Sequence, residues 1–334
     1  MQSVLPAQQP GRRGALNWIL VLLLPLLMVV MELGVAAMEP RVLSLRNIVN
    51  ILDQSSYLAV FAGAQMVVIL TRGFDLSLGA SVSAVSVASA MVMTSLADAN
   101  APAWVVVIMG LGTGLGFGAL VGLFNGLFIS WMRINPFVVT LGSLNICMGL
   151  ASTMSGGRPV FNVPDSFSHL LYDGKLVPGL PLPLPLTLAI LVCVLLYFLL
   201  DHTVFGRSLY LIGNSPRAAH LAGLPSRFYL TMAYIVCGML AAFGGLMLTA
   251  RTSSGEPNLG GSLMLESIAA AVIGGVSLQG GVGGIVPVIL GSLFVTMLSN
   301  AMNLLEVGGY VQQMLLGCVI IGAIFLDRIR VTRT

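Results

Sequence analysis

Charge is what this chain has least of. Asp, Glu, Lys and Arg make up 8% of its 334 residues, against roughly a quarter in a soluble domain. Lysine is almost absent: Lys175 stands alone, and Leu176 follows it. A phosphate-cradling loop of the Walker type needs Lys followed by Ser or Thr after its glycines. No nucleotide-hydrolysing motor of that kind is encoded. Histidine is scarce too. His169, His202 and His220 lie in loop stretches at spacings that suit neither a metal site nor a catalytic pair. Each reads as a solvated loop residue. The four cysteines, Cys147, Cys193, Cys237 and Cys318, each lie inside an apolar run. A disulfide framework or metal site would want polar loops or close spacing, so all four read as small buried hydrophobes. Aromatics are sparse, at 7%, and support no stacking platform for sugar rings. No basic face invites nucleic acid, and no enzyme site is visible.

What fills the chain is apolar residues, at 57%, with a mean hydropathy of +0.98. That composition describes an all-α integral membrane protein with many spans. The 39 glycines suit close helix packing in lipid. A crossing takes about 20 apolar residues. Ten runs qualify, at 15–37, 48–71, 78–96, 104–132, 137–154, 186–200, 228–250, 263–278, 285–304 and 310–326. The second and eighth are diluted by polar residues and glycine. A Pro-rich segment over 159–185 extends the sixth backwards. Residues 1–14 read as a cytoplasmic tail, 15–326 as the transmembrane domain, 201–227 as a cytoplasmic loop within it and 327–334 as a basic tail. Arg12 and Arg13 precede the first run, which lacks a small-residue cleavage site. It reads as an uncleaved span.

Ten spans place both termini on one side. With the termini inside, the inner segments hold Arg12, Arg13, Arg72, Arg133, Arg207, Arg217, Arg227, Arg328, Arg330 and Arg333. The outer segments hold Arg41, Arg46, Arg158, Lys175 and Arg251. Ten against five, out of fifteen, follows the positive-inside rule.

Three features break the pattern of apolar runs. GFDLSLG, from Gly73 to Gly79, separates spans two and three. GGVSLQG, from Gly274 to Gly280 and running on to Gly284, closes span eight. Glycines six apart in both halves point to an internally repeated transporter with a central pathway. The third feature lies in the loop. Asn214 and Ser215 can cap a helix, Pro216 suits its first position, and Gly223 suits the residue just past its end. The resulting helix over 216–222 is too short to stand alone in water, so it leans on its own protein or on a partner.

Several side chains are candidates for a substrate path. Asp75 sits in a glycine-rich break, where unwound backbone must face protein or a water-filled cavity; the local alternative is an Asp turn paired with Arg72. Glu266 complements the N-terminus of its helix or contacts substrate. Gln65, Asn125, Asn145 and Gln279 offer hydrogen bonds to an uncharged solute, or bond helix to helix. Glu32, Asp53 and Gln54 lie near span ends and reach the interface.

Four motifs in register carry a resemblance. They are GFDLSLG, NPFVVTLG from Asn135 to Gly142, the stretch from Gly206 to Gly245, and LESIAAAVIGGVSLQGG from Leu265 to Gly281. In these, over about residues 43–324, the chain resembles the permease subunits of ribose-type ABC importers. The resemblance implies ABC importer permease architecture with about ten helices, a paired second permease, identical or not, a periplasmic solute-binding protein, and a cytoplasmic ATPase that carries the ATP and Mg. This chain itself would hold no cofactor or metal and sit in the bacterial inner membrane. The resemblance assigns Asn214, Pro216, Arg217, Ala218, Ala219, His220 and Gly223 to the ATPase coupling loop. The two glycine breaks and the polar residues within spans motivate a pathway along Gln65, Phe74, Asp75, Ser77, Asn145, Glu266, Ser277 and Gln279, with Gly73, Gly79, Gly274, Gly275, Gly280 and Gly281 as structural glycines. Phe74 stands where the family usually has Ile, and Arg72 where it often has Gly or Ser. The expected cargo is a monosaccharide or similar polar solute. A nucleoside, autoinducer or amino-acid importer, and a stand-alone secondary transporter, remain rival readings.

Overall fold

The structure is a computed structural model that describes residues 11–174 and 183–332. Among the described residues its regular structure is all helix, apart from one isolated bridge in which Val160 and Gly255 exchange backbone hydrogen bonds. Helices begin where the sequence places caps. Ser44 Oγ accepts the Asn47 N–H at the start of α2 (Leu45–Ile69). Asn135 does the same for Phe137, followed by Pro136 at the first position of α5 (Pro136–Ser155). Such side chains satisfy amides that a helix start leaves without partners.

Among the described residues, six helices are long and apolar enough to cross a membrane. They are α3 (Leu78–Asp98), α4 (Ala103–Ser130), α5, α7 (Leu184–Asp201), α10 (Ser226–Thr252) and α12 (Ile285–Leu304). The 25-residue α2 is not among them, and its position explains why. It is the central post, packed against α10, α12, α7 and α11 (Leu263–Ile273). From Ser55 to Ile69 every residue is buried. A helix that meets protein on all sides has no need of a lipid-facing surface, so Ser, Gln and Asp are tolerated along it. Against α12 lies α1 (Gly11–Ala36), against α11 lies α13 (Gly309–Thr332), and the one-turn α6 (Asp165–Ser168) packs on α4 and α10.

The tightest crossing is between α4 and α10. Gly114, Gly118, Gly122 and Gly126 recur every fourth residue and form one buried stripe on α4. A Cβ added to Gly122 would lie 2.2 Å from the Tyr234 carbonyl oxygen, and one added to Gly118 would lie 2.3 Å from that of Gly238. Small residues at this spacing let two backbones touch. On the opposite face, Gly112 and Gly116 have no atoms within 4 Å of such a Cβ.

Five expectations need correction. The eighth run is not a crossing helix by itself. α11 spans 11 residues, about 16 Å at 1.5 Å per residue, and ends in the second break instead of running to Leu278. The loop over 201–227 is largely ordered helix: α8 (Val204–Asn214) precedes the expected short helix, α9 (Pro216–Leu221). Cys147, Cys193 and Cys237 are buried, but Cys318 is exposed on α13. Asp53 does not reach an interface; it is buried, with Arg251 Nε 3.7 Å from its Oδ2. α1 already begins at Gly11 and α13 continues to Thr332, so the described parts of both expected tails are helical. Residues 1–10, the proposed backward extension of span six over 175–182, and residues 333 and 334 lie outside the described residues.

Candidate functional site

The first break begins where α2 stops. Arg72 adopts a left-handed backbone, with φ 67°, and Gly73 to Asp75 form no helix or strand before α3 starts. This unwound backbone is held by a buried polar knot. Gln65 of α2 grips Asp75 from both sides: its amide nitrogen donates to the Asp75 carbonyl at 2.8 Å, and its amide oxygen accepts the Asp75 N–H at 3.3 Å. The Asp75 carboxylate accepts from the Ser77 N–H at 2.9 Å and from the Ser77 hydroxyl at 2.5 Å. Ser77 Oγ in turn accepts from the Asn125 amide at 3.0 Å, and Asn125 accepts from Ser143. The Cys237 thiol donates to the second Asp75 oxygen at 3.8 Å. All of these side chains are buried. In the bilayer core an unpaired backbone group costs several kcal/mol, and this knot supplies the missing partners. The alternative pairing of Asp75 with Arg72 does not form, because Arg72 turns the other way.

Gly79 closes the first break by contact. A Cβ there would lie 2.4 Å from the Gly260 carbonyl oxygen. The second break follows α11. The Ser277 N–H donates to Val282 O at 2.9 Å, and the Gly280 N–H to Ser277 O at 2.9 Å. Gly280 and Gly281 have φ of 80° and 72°, which only glycine adopts without strain.

The two breaks meet. The Gly281 N–H donates to Leu70 O at 2.9 Å. The end of α8 is wedged against both, since a Cβ at Gly213 would lie 1.9 Å from Leu70 O and 2.4 Å from Gly281 N. Arg72 Nε donates to Gly213 O at 2.7 Å, and its Nη2 to Asn214 O at 3.0 Å. The Asn214 amide donates to Gly281 O at 3.0 Å. Cations suit the carbonyl end of a helix. One elbow, α8 followed by α9, is thereby fastened to both breaks.

The elbow folds from its own sequence. Thr203 Oγ1 caps α8 through the Gly206 N–H, and Ser215 Oγ caps α9 through the Ala218 N–H. On α8, Leu209 and Ile212 turn inward. On α9, Ala219 alone is buried; Pro216, Arg217, Ala218, His220 and Leu221 are exposed. Leu221 is 86% exposed, an apolar tip on an otherwise polar ridge.

The predicted pathway residues do not form one group. Gln65, Asp75 and Ser77 lie in the knot, with Phe74 half-buried above it. Ser277 is buried in the second break, and Gln279 beside it is exposed. Asn145 sits on the exposed face of α5, its amide donating to Leu141 O at 2.9 Å. Glu266, in the first turn of α11, lines a polar cavity between α2, α10, α12 and α13. Arg72 and Leu221 were not singled out as site residues. Leu221 carries no sequence signal that sets it apart from Leu224, and the Arg72 contact joins residues 141 apart.

Comparison with known proteins decides the class. Residues 47–324 match the family described as branched-chain amino acid transport system / permease component. The chain belongs to that permease family. The permease is 31% identical to the galactose/methyl galactoside import permease protein of Haemophilus influenzae, over 96% of this chain and 95% of the relative. It is 35% identical to the ribose import permease protein of Bacillus subtilis, over 88% of each. It is 30% identical to the D-allose transport system permease protein of Escherichia coli, over 86% of this chain and 85% of the relative. No solved structure matches the chain. The permease is a transporter subunit and not an enzyme.

Proposed function

We propose that this permease supplies the membrane path of an ATP-driven, binding-protein-dependent importer for a monosaccharide. Its relatives are named for galactose, ribose and allose. In this reading it lies in the bacterial inner membrane, crosses about ten times and keeps both termini cytoplasmic. A second permease, a periplasmic solute-binding protein and a cytoplasmic ATPase complete the assembly, with ATP and Mg on the ATPase.

The observation that carries the reading is the α8–α9 elbow. A six-residue helix presents Leu221 and Arg217 outward while its base is fastened to both breaks. A short helix that lays an apolar tip into a partner's groove is a familiar recognition mode. A push on α9 acts on Gly213 and Asn214, and through Arg72 and Gly281 on the backbone of both breaks. Closure of the ATPases would move the breaks without any chemistry in this chain.

The test is purification from membranes followed by reconstitution. An ATPase should co-purify, and vesicles loaded with ATP should take up D-ribose, D-galactose or D-allose only with the binding protein present. The description of the matched family favours one second reading, an amino-acid importer. Uptake of leucine and of none of the three sugars would select it.

A further inference from the structure

One polar cavity lies apart from the breaks and the elbow. It measures about 280 Å³, near the low end of the roughly 300–1,000 Å³ common to small-molecule sites. Helical spacing builds it. α12 contributes Thr296, Ser299 and Asn303, α2 contributes Gln54, α10 contributes Arg251, and α11 contributes Glu266. On α12 these positions share one face, as residues three and four apart on a helix do. Leucines from three of these helices form the apolar part of the wall.

The polar groups are not used up on one another. Among the described residues, the Glu266 carboxylate and the Thr296 and Ser299 hydroxyls form no hydrogen bond. The Arg251 guanidinium forms none either. It lies 5.4 Å over the Tyr57 ring and 3.7 Å from Asp53, which fixes it in place with N–H groups to spare. Gln54 gives one amide N–H to Asn50 at 3.0 Å; its other N–H and Arg251 offer donors, and Glu266 and the hydroxyls offer acceptors, around one space. A sugar hydroxyl both donates and accepts. Two carboxylates against one guanidinium leave the site net negative, which disfavours an anionic ligand.

We infer that this cavity is a binding site within the permease for a neutral polyhydroxylated ring of monosaccharide size. Gln54 lies about 24 Å along α2 from Leu70, at 1.5 Å per residue, so the cavity is at the far end of the central post from the elbow. With the termini cytoplasmic it opens on the outer side, where cargo leaves the binding protein. The inference rests on the sugar-import reading.

The test uses the assembled importer in membrane vesicles, with Cys318→Ala to remove the exposed native thiol. Ser299→Cys is nearly isosteric and is modified after folding with a cationic, membrane-impermeant methanethiosulfonate. Thr296→Cys, one turn earlier, serves if that variant does not assemble. Ala99→Cys, in the exposed turn between α3 and α4, is the control. Complete modification in the cavity should lower uptake about tenfold, as blocking a path does, and leave the control unchanged. The transported sugar should slow modification in the cavity and not at the control. Undiminished uptake after complete modification, or a labelling rate that the transported sugar does not change, overturns the site. If unmodified vesicles import none of D-ribose, D-galactose and D-allose, the sugar reading itself fails and the site falls with it.

Discussion

Arg72 Nη2 lies 3.0 Å from the carbonyl oxygen of Asn214, and Asn214 in turn donates to Gly281. One arginine side chain therefore connects the first break to the end of α8, and one asparagine carries the connection to the second break. The backbone at Arg72 is left-handed, a conformation glycine adopts more readily. Arg72→Gly keeps the turn and removes only the side chain. It should insert and assemble normally. Losing two charge-assisted hydrogen bonds, each worth about 1.5–3 kcal/mol before exposure is counted, should lower sugar uptake per ATP hydrolysed by about tenfold. Arg72→Lys supplies one donor group in place of a fork and should fall between. Uptake per ATP at the wild-type level in Arg72→Gly would show that the elbow moves the breaks by another route.

Two residues of α9 separate docking from folding. Leu221 is 86% exposed and Ala219 is fully buried. Leu221→Asp should leave the permease folded and lose the ATPase. An anchor residue of this kind typically contributes about 2 kcal/mol or more to binding, which is roughly a 30-fold loss in affinity. Ala219→Asp should fail differently. It buries a charge within this chain and should lower the melting temperature of the isolated permease. Equal co-purification of the ATPase with wild type and Leu221→Asp would exclude the apolar tip as a contact.

Most of the helical frame was legible in the sequence. The run over 285–304 coincides with α12, and the Ser215–Pro216 cap placed the start of α9. Hydropathy works here because lipid makes helices obligatory. It misled where a helix falls short of crossing: α11 ends at Ile273 because the second break takes over. The diluted run over 48–71 still matches α2, whose polar residues are tolerated because protein surrounds it. α8 was missed as a helix although Phe205, Leu209 and Ile212 follow a helical spacing; the polar residues between them read as loop. The glycine stripe of α4 was equally visible, one glycine every fourth residue, and needed only to be counted. The knot could not be seen, because Asn125 and Ser77 are 48 residues apart. Nor could the sequence show that Gln65 and Asp75 spend their polar groups on each other.

The stripe on α4 gives a paired test. Gly118 and Gly116 are two residues apart and point to opposite sides. Gly118→Val forces the new side chain onto the Gly238 carbonyl and Ala242. It should cost about 1–3 kcal/mol, typical of overpacking, seen as a lower melting temperature in detergent. Gly116→Ala meets open space. It should be neutral or stabilise by up to about 1 kcal/mol, since alanine favours helix. If both variants melt alike, the stripe is not what holds α4 to α10.

Asp75 separates a structural knot from a transport group. Asp75→Asn keeps an oxygen where Ser77 donates its N–H and hydroxyl, and keeps the backbone that Gln65 grips. Asp75→Ala removes that acceptor and leaves the Ser77 donors buried. Stranding buried donors costs about 1–3 kcal/mol for each group, so Asp75→Ala should melt well below wild type. Asp75→Asn should lie within about 1 kcal/mol of it, the net worth of an ordinary hydrogen bond, and should import sugar at close to the wild-type rate. The geometry leads to this expectation because every contact of the carboxylate ends within the chain: Ser77 at one oxygen and Cys237 at the other. A contrary result would be informative in a specific way. If Asp75→Asn melts like wild type and imports nothing, then the negative charge acts on the solute or the gate, and Asp75 belongs on the transport path.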